Sequence, residues 1–445
     1  MSIALGIWIA AAPIIGLVWL VRFIFMGIML RDGNTLSSDS FMTDKKEQDA
    51  PWDAGAAPRL TVLVAAKDEQ DNIEACVTSL LDQDYPNFEV IVIDDRSRDR
   101  TPDILRDLKN HVERPSNPDS RGAQDGLRVV TLQDLPSGWT GKNHAMHKGV
   151  GLSSGDWYMF TDADCRQTSR RTLSVALREV LSKDVDFLSI IPVLETKTAW
   201  ERVLQPACAF MLILWFLPHR TNDPARKTAY ANGAFMLIRK KCYDAIGGHE
   251  RVRGEVNEDV KLAQNAKRMG FKLRVVENDD LYLSWMYATP SEAWRGWTRI
   301  FYGSLGTLRR LRISVLMILT YTILPWASLA VSLFVLSRPE TASNRLWSLA
   351  AGAWLGVLML HHLTLWRYYG MLRIGRLWSL AYLPGAVVTL AMLFSSMLKV
   401  IGVTGTTWRG TTYSASAAAK TVGIEDRLPY NQRDKVHHLA DGESN

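Results

Sequence analysis

Asp162 and Asp164 stand one residue apart, directly after Trp157-Tyr158-Met159-Phe160, so two carboxylates fall where a run of β-formers ends. Hard divalent cations such as Mg²⁺ and Mn²⁺ prefer oxygen ligands. One or two carboxylates usually hold them, and substrate phosphates fill the other positions. Asp-x-Asp also occurs as an ordinary solvated turn, so the pair does not decide the matter alone. Two more polar clusters follow apolar runs: Lys67-Asp68-Glu69 after Leu60–Ala66, and Asp94-Asp95 after Phe88–Ile93. Acidic residues collected at one sheet edge are unfavourable unless a cation or a donor-rich ligand sits among them. Glu258-Asp259 opens a further helical pattern, where it can complement a helix dipole.

The elements that must position these groups alternate. Apolar strands are expected at Leu60–Ala66, Phe88–Ile93, Leu127–Leu132 and Trp157–Phe160, with helices at Asp71–Leu81, Thr101–Leu108 and Lys142–Gly149. Continuous apolar strands alternating with amphipathic helices predict an α/β domain with a parallel, doubly wound sheet. Ligands of such sheets bind outside the carboxyl ends of the strands, where the carboxylates fall. His111–Gly126 reads as a surface insertion, and His144, His147 and His249 lack ligand spacing and read as structural.

Four apolar stretches lie outside this domain: Ile3–Leu30, Ile313–Leu336, Leu346–Trp366 and Leu377–Val403. Each exceeds the roughly 20 residues needed to cross a bilayer. The first lacks a charged n-region and a small-residue cleavage site, so it reads as an uncleaved anchor rather than a signal peptide. The chain therefore divides into an N-terminal anchor (1–31), a polar linker (32–58), a catalytic domain (59–288), an amphipathic interfacial helix (289–312), three membrane helices (313–403) and a polar tail (404–445). Arg31, Lys45 and Lys46 flank the anchor, and Arg367, Arg373 and Arg376 lie between the last two spans. By the positive-inside rule both groups, and the central domain with them, face the cytoplasm of an inner (cell) membrane protein. Trp200–Pro218 is apolar but interrupted by Pro206 and Pro218, and reads as an interfacial or channel-lining helix. Ser291–Arg310 mixes Trp and Tyr with Arg at helical spacing, as interfacial helices do. The net charge of +6 suits a membrane surface and needs no nucleic-acid partner. The four cysteines have no paired spacing that would indicate zinc or a disulfide framework.

Taken in order, these motifs resemble family 2 inverting nucleotide-sugar glycosyltransferases, whose fold is GT-A. Val64-Ala65-Ala66-Lys67-Asp68-Glu69 is similar to the opening motif, Asp94–Thr101 to the second, Gly141-Lys142-Asn143 to the Gly-Lys segment and Thr161-Asp162-Ala163-Asp164 to the metal motif. Asn232-Gly233 through Arg239, followed by Gly247-Gly248-His249, resembles the acceptor-side segment. Glu258-Asp259 resembles the segment that carries the base. The resemblance implies that Asp95, with Lys67, Asp68 and Glu69, binds the nucleotide, and that Lys142 lies near the diphosphate. It implies further that Asp162 and Asp164 serve the ribose and a divalent metal, that Asp259 is the general base and that Glu258 shapes the site.

Processive synthases of the family carry Gln-x-x-Arg-Trp near the aromatic stripe. Here the stretch is Arg295-Gly296-Trp297-Thr298-Arg299, which favours transfer of one sugar to a lipid or other hydrophobic acceptor. Trp139-Thr140-Gly141-Lys142, Asn222-Asp223-Pro224 and Trp408-Arg409-Gly410 resemble the hopanoid- and carotenoid-associated branch. A UDP-linked sugar is the expected donor. A processive polysaccharide synthase and a non-catalytic membrane scaffold that binds nucleotide sugar or lipid remain the alternatives.

Overall fold

The computed structural model describes residues 2–29, 34–41, 52, 57–113, 126–338, 344–404, 406–408 and 411–413. Most of the expected linker, surface insertion and tail lies outside them, including Arg31, Lys45, Lys46, Arg409 and Gly410.

The chain begins with helix α1 (Ser2–Met29) and a short strand β1 (Thr35–Leu36), which falls inside the stretch expected as linker. There follow β2 (Leu60–Ala66), α2 (Ile73–Leu81), β3 (Phe88–Asp94), α3 (Thr101–Glu113), β4 (Leu127–Thr131), α4 (Gly141–Val150) and β5 (Trp157–Asp162). Next come β6 (Cys165–Gln167), α5 (Thr172–Ser182), β7 (Phe187–Ile191), β8 (Val193–Leu194), α6 (Ala199–Trp215), α7 (Pro218–Asn222) and β9 (Met236–Arg239). The domain closes with α8 (Lys240–Ala245), α9 (Gly248–Arg251), α10 (Glu258–Arg268), β10 (Leu273–Asn278) and β11 (Tyr282–Ser284).

The main sheet has the order β1-β10-β7-β9-β5-β2-β3-β4. All neighbours run parallel except β9, which is antiparallel to both β5 and β7. The sheet is therefore mixed rather than purely parallel. The chain returns from α6 and α7 at the catalytic edge and enters β9 from that end. Along β2, Val62 and Val64 pack into one apolar layer and Leu63 into the other. Each such buried aliphatic side chain contributes about 1.5–3 kcal/mol. The parallel register pairs Ala66 with Asp94 and Ala65 with Asp162, so the motif carboxylates leave the sheet at one edge.

The carboxyl-terminal part comprises α11 (Pro290–Leu305), α12 (Leu308–Ile318), α13 (Leu324–Leu336), α14 (Asn344–Met371) and α15 (Tyr382–Val400), followed by the β12 (Thr406–Trp408) and β13 (Thr411–Tyr413) hairpin. The basic aromatic stripe is split between α11 and α12. Gly306, at φ 64°, ends α11 in the left-handed region, and the Thr307 side chain caps α12 by accepting from Arg310 N. A π-helical turn at Leu319–Ile323 joins α12 to α13 just ahead of Pro325, which has no N–H to donate.

Among the described residues five helices are long and apolar enough to cross a membrane: Gly6–Ile28, Ala199–Asn222, Leu308–Leu336, Arg345–Met371 and Arg376–Val400. Arg22, the charge within α1, is covered by the rings of Trp19 and Tyr321, at 4.8 and 4.9 Å from their centroids. Helix α6 lies between the catalytic domain and α15. A Cβ on Gly385 would sit 2.2 Å from Val203 O, so only glycine lets α15 approach this closely.

Candidate active site

One cavity of about 670 Å³ runs along the carboxyl edge of the sheet and is lined by all nine residues singled out above. Lys67 and Asp95 face each other at 4.0 Å, and Arg96 grips the Asp95 carboxylate at 2.8 Å. Asp68 and Glu69 line the same wall and are also stitched to the loop after β3. Asp68 Oδ1 accepts from Arg98 N at 2.7 Å, and Glu69 N donates to Thr101 Oγ1 at 2.8 Å. Gly141 fits here because a Cβ would lie 2.1 Å from Asp95 Oδ2.

Lys142 follows in the first turn of α4, which Thr140 caps by accepting from Asn143 N. The Asn143 side chain donates to the carbonyls of Val252, Arg253 and Glu255, fixing α4 against the approach to α10. That contact brings Lys142 Nζ to 2.6 Å from Asp162 Oδ1 and 2.7 Å from Glu258 Oε1. The second approach is an ion pair whose angle falls outside hydrogen-bond geometry. Burial lowers the Lys142 pKa, but Asp162, Glu258 and Asp259 outweigh it and hold the ammonium well above its ordinary value.

Asp259 lies in the first turn of α10. Its Oδ2 accepts from Gly233 N at 2.9 Å and its Oδ1 from Val260 N at 2.7 Å. Burial pushes this carboxyl up to about 7 and Glu258 adds to the effect, while Lys142 and the two backbone N–H groups oppose it. A carboxyl poised near neutrality in a cavity has the properties of a general base. The Asn232-Gly233 turn is thus part of the site. A Cβ on Gly233 would lie 2.8 Å from Lys142 Nζ, 3.4 Å from Asp259 Oδ2 and 3.5 Å from Glu258 Oε1.

Asp164 sits in the turn between β5 and β6, and Asp162, with 36% of its side chain exposed, projects into the cavity. Among the described residues no group of three His, Cys, Asp or Glu side chains is placed to hold a metal. Two carboxylates are a donor set that suits a hard cation whose other ligands belong to a phosphate-bearing substrate. Burial lowers the His249 pKa to about 3, and its Nδ1 shares a hydrogen bond of 2.8 Å with the Tyr243 hydroxyl in the core.

Beyond Asp259 the walls change character. Tyr287, Arg295 and Arg299 line the cavity together with Ala209, Leu212 and Ile213 of α6, as do Tyr368, Met371 and Leu372 from the carboxyl-terminal helices. Glu277, at the carboxyl end of β10, lines this end, and burial pushes its carboxyl up to about 7. Sequence reading missed Glu277 and Arg96. The first lies in a strand with mixed polarity, and the second within a motif whose acidic residues draw the attention.

The mixed α/β sheet with carboxylates at one edge has the GT-A fold, here joined to helices long and apolar enough to cross a membrane. Residues 61–247 match the Glycosyl transferase family 2 model. The 4,4'-diaponeurosporenoate glycosyltransferase of Staphylococcus haemolyticus is 22% identical over 281 residues, 62% of this chain and 70% of that one. The β-monoglucosyldiacylglycerol synthase of Trichormus variabilis is 29% identical over 199 residues, 44% of this chain and only 38% of the relative. A solved mannosyltransferase from Pyrobaculum calidifontis, in complex with GDP-Man and Mn²⁺, aligns over 79% of this chain and 98% of its own, with 17% identity and a TM-score of 0.45.

Proposed function

We propose that the protein is a membrane-bound, inverting, metal-dependent glycosyltransferase that moves a sugar from a nucleoside diphosphate sugar, UDP-linked, to the hydroxyl of a lipid or other hydrophobic acceptor. The observation that carries this reading is the single cavity that begins among carboxylates and ends among membrane helices. From β3 to β10 it crosses five strand steps, about 24 Å at about 4.8 Å per step. A charged donor and an apolar acceptor can therefore meet end to end, with Asp259 between them. The names of the two relatives, which denote glycosylation of a carotenoid acid and of a diacylglycerol, support an apolar acceptor.

In this reading Asp95 and Lys67 hold the nucleoside and Lys142 faces the diphosphate. Asp162 and Asp164 would hold a divalent cation, which supplies charge neutralisation for the departing diphosphate. Asp259 takes the proton from the acceptor hydroxyl as its oxygen attacks the anomeric carbon from the face opposite the diphosphate. The bond to the diphosphate breaks and the configuration inverts. Such a base contributes typically about 10²–10⁴-fold.

The test is nucleoside diphosphate release from a panel of nucleotide sugars by detergent-solubilised protein, with diacylglycerol as acceptor and with or without Mn²⁺ or Mg²⁺. Turnover of one donor, lost in Asp259→Asn and Asp164→Ala, is expected. Full activity in Asp259→Asn would remove the assigned base. Long polymer among the products would replace single transfer with processive synthesis.

A further inference from the structure

A second cavity, of about 450 Å³, lies where α1 meets the carboxyl-terminal end of α14. Its apolar walls are Phe23, Leu363, Trp366 and Met371, and two guanidinium groups, Arg367 and Arg376, complete it. Each is seated on a glycine. A Cβ on Gly27 would lie 2.9 Å from Arg367 Nη1, and one on Gly370 would lie 2.9 Å from Arg376 Nε. Arg367 Nη1 donates to Phe23 O at 3.0 Å, and the guanidinium lies 4.2 Å from the Phe23 ring centroid. That contact fixes its position and, among the described residues, leaves other donors of the fork without a hydrogen-bond partner.

The charge balance here is unusual. Arg373, in the same connection, is neutralised by Asp279 of the catalytic domain. Among the described residues neither Arg367 nor Arg376 has a carboxylate partner. Leu363 and Trp366 are 52% and 40% exposed, so the cavity opens outward from the helix pair. It lies at the end of two candidate spans, on the side that carries the catalytic domain.

The geometry points to a binding site for the phosphate headgroup of an anionic phospholipid. Two guanidinium groups lining one cavity match phosphate oxygens, an aromatic residue at a span end suits the headgroup level, and the apolar wall takes the start of an acyl chain. The site is separate from the catalytic cavity and shares only Met371 with it. It stands independently of the acceptor proposed above.

Native mass spectrometry of the full-length, detergent-solubilised protein tests it, with phosphatidylglycerol, phosphatidylcholine or inorganic phosphate titrated in turn. Phosphatidylglycerol is expected to bind about tenfold more tightly than phosphatidylcholine. Arg376→Gln, at an exposed position that threatens no core packing, should lower that preference about fivefold, and Arg367→Gln with Arg376→Gln should abolish it. Gly370→Leu, which keeps both charges but crowds Arg376, should weaken binding as well. Arg338→Gln, at the far end of α13, should change nothing. An unchanged preference in the double variant would overturn the site, as would equal loss in Arg338→Gln, which would indicate general surface charge. Displacement of phosphatidylglycerol by inorganic phosphate at equal concentration would overturn the lipid in favour of free phosphate.

Discussion

The pH dependence of catalysis should move in opposite directions when the two charged neighbours of Asp259 are removed one at a time. Lys142 Nζ and Asp259 Oδ2 lie within 2.8 and 3.4 Å of one point above Gly233, so they are no more than about 6 Å apart. At an effective dielectric of about 20, a charge pair at about 6 Å interacts by about 3 kcal/mol, which corresponds to about two pH units. Glu258 Oε1 lies 3.5 Å from the same point, so its repulsion of Asp259 is of similar size and opposite sign. The base acts as a carboxylate, so kcat/KM should rise with pH through about 7 in the unaltered protein. Lys142→Met removes a charge that favours the carboxylate and should move this acid limb up by about one to two pH units. Glu258→Gln removes one that opposes it and should move the limb down by about one. The assay is nucleoside diphosphate release across pH 5–9 under subsaturating donor, with Asp259→Asn as the reference lacking the limb. Shifts of the same sign in both variants, or none, would refute the electrostatic account and the assignment of Asp259.

Three further outcomes follow. Gly141→Ala drives a methyl group into Asp95 and should raise the donor KM about tenfold or more in a steady-state assay, with little change in melting temperature. Asp164→Ala should abolish stimulation by Mn²⁺ while nucleotide binding, read by calorimetry without metal, persists. Gly385→Leu forces α15 away from α6 and should destabilise the fold by about 1–3 kcal/mol, seen as a lower thermal midpoint in detergent.

How far the sequence discloses this molecule depends on how local each determinant is. Strands β2, β3 and β5 are buried on both faces, so their apolar runs are continuous and their carboxyl-terminal aspartates stand out. β10 escapes because Arg274 and Glu277 interrupt it, and Arg274 pairs with Glu179 on α5, far away in the chain. β1 has two residues, and its pairing with β10 is a tertiary matter that no local pattern announces. The reversed direction of β9 is likewise set by where the chain re-enters after α7. Within the site the charged residues are legible by type, whereas Gly141 and Gly233 matter for what they allow to approach. That appears only when Asp95, Lys142 and Asp259 are in place. Arg367 and Arg376 read in sequence as topology charges, and only the groove between α1 and α14 brings them together.

The place of α6 has a consequence for how the protein is made. This helix is synthesised in the middle of the catalytic domain, yet its Cys208 packs 3.4 Å from Thr389, which follows 181 residues later. Its Gln205 and Trp215 await partners on α11 and α12, Trp297 and Ser314. At about 5–20 residues per second, the segment bearing Thr389 leaves the ribosome about 10–35 s after α6. Phe210 can already stack on Trp19 of α1, 6.2 Å between ring centroids, but the face of α6 that meets α15 stays uncovered through that interval, and the bilayer surface is the natural place to hold it. The catalytic domain therefore reaches its final form only after the last membrane helix has arrived. Chains truncated after Ser284 should accumulate as aggregates rather than as a soluble enzyme.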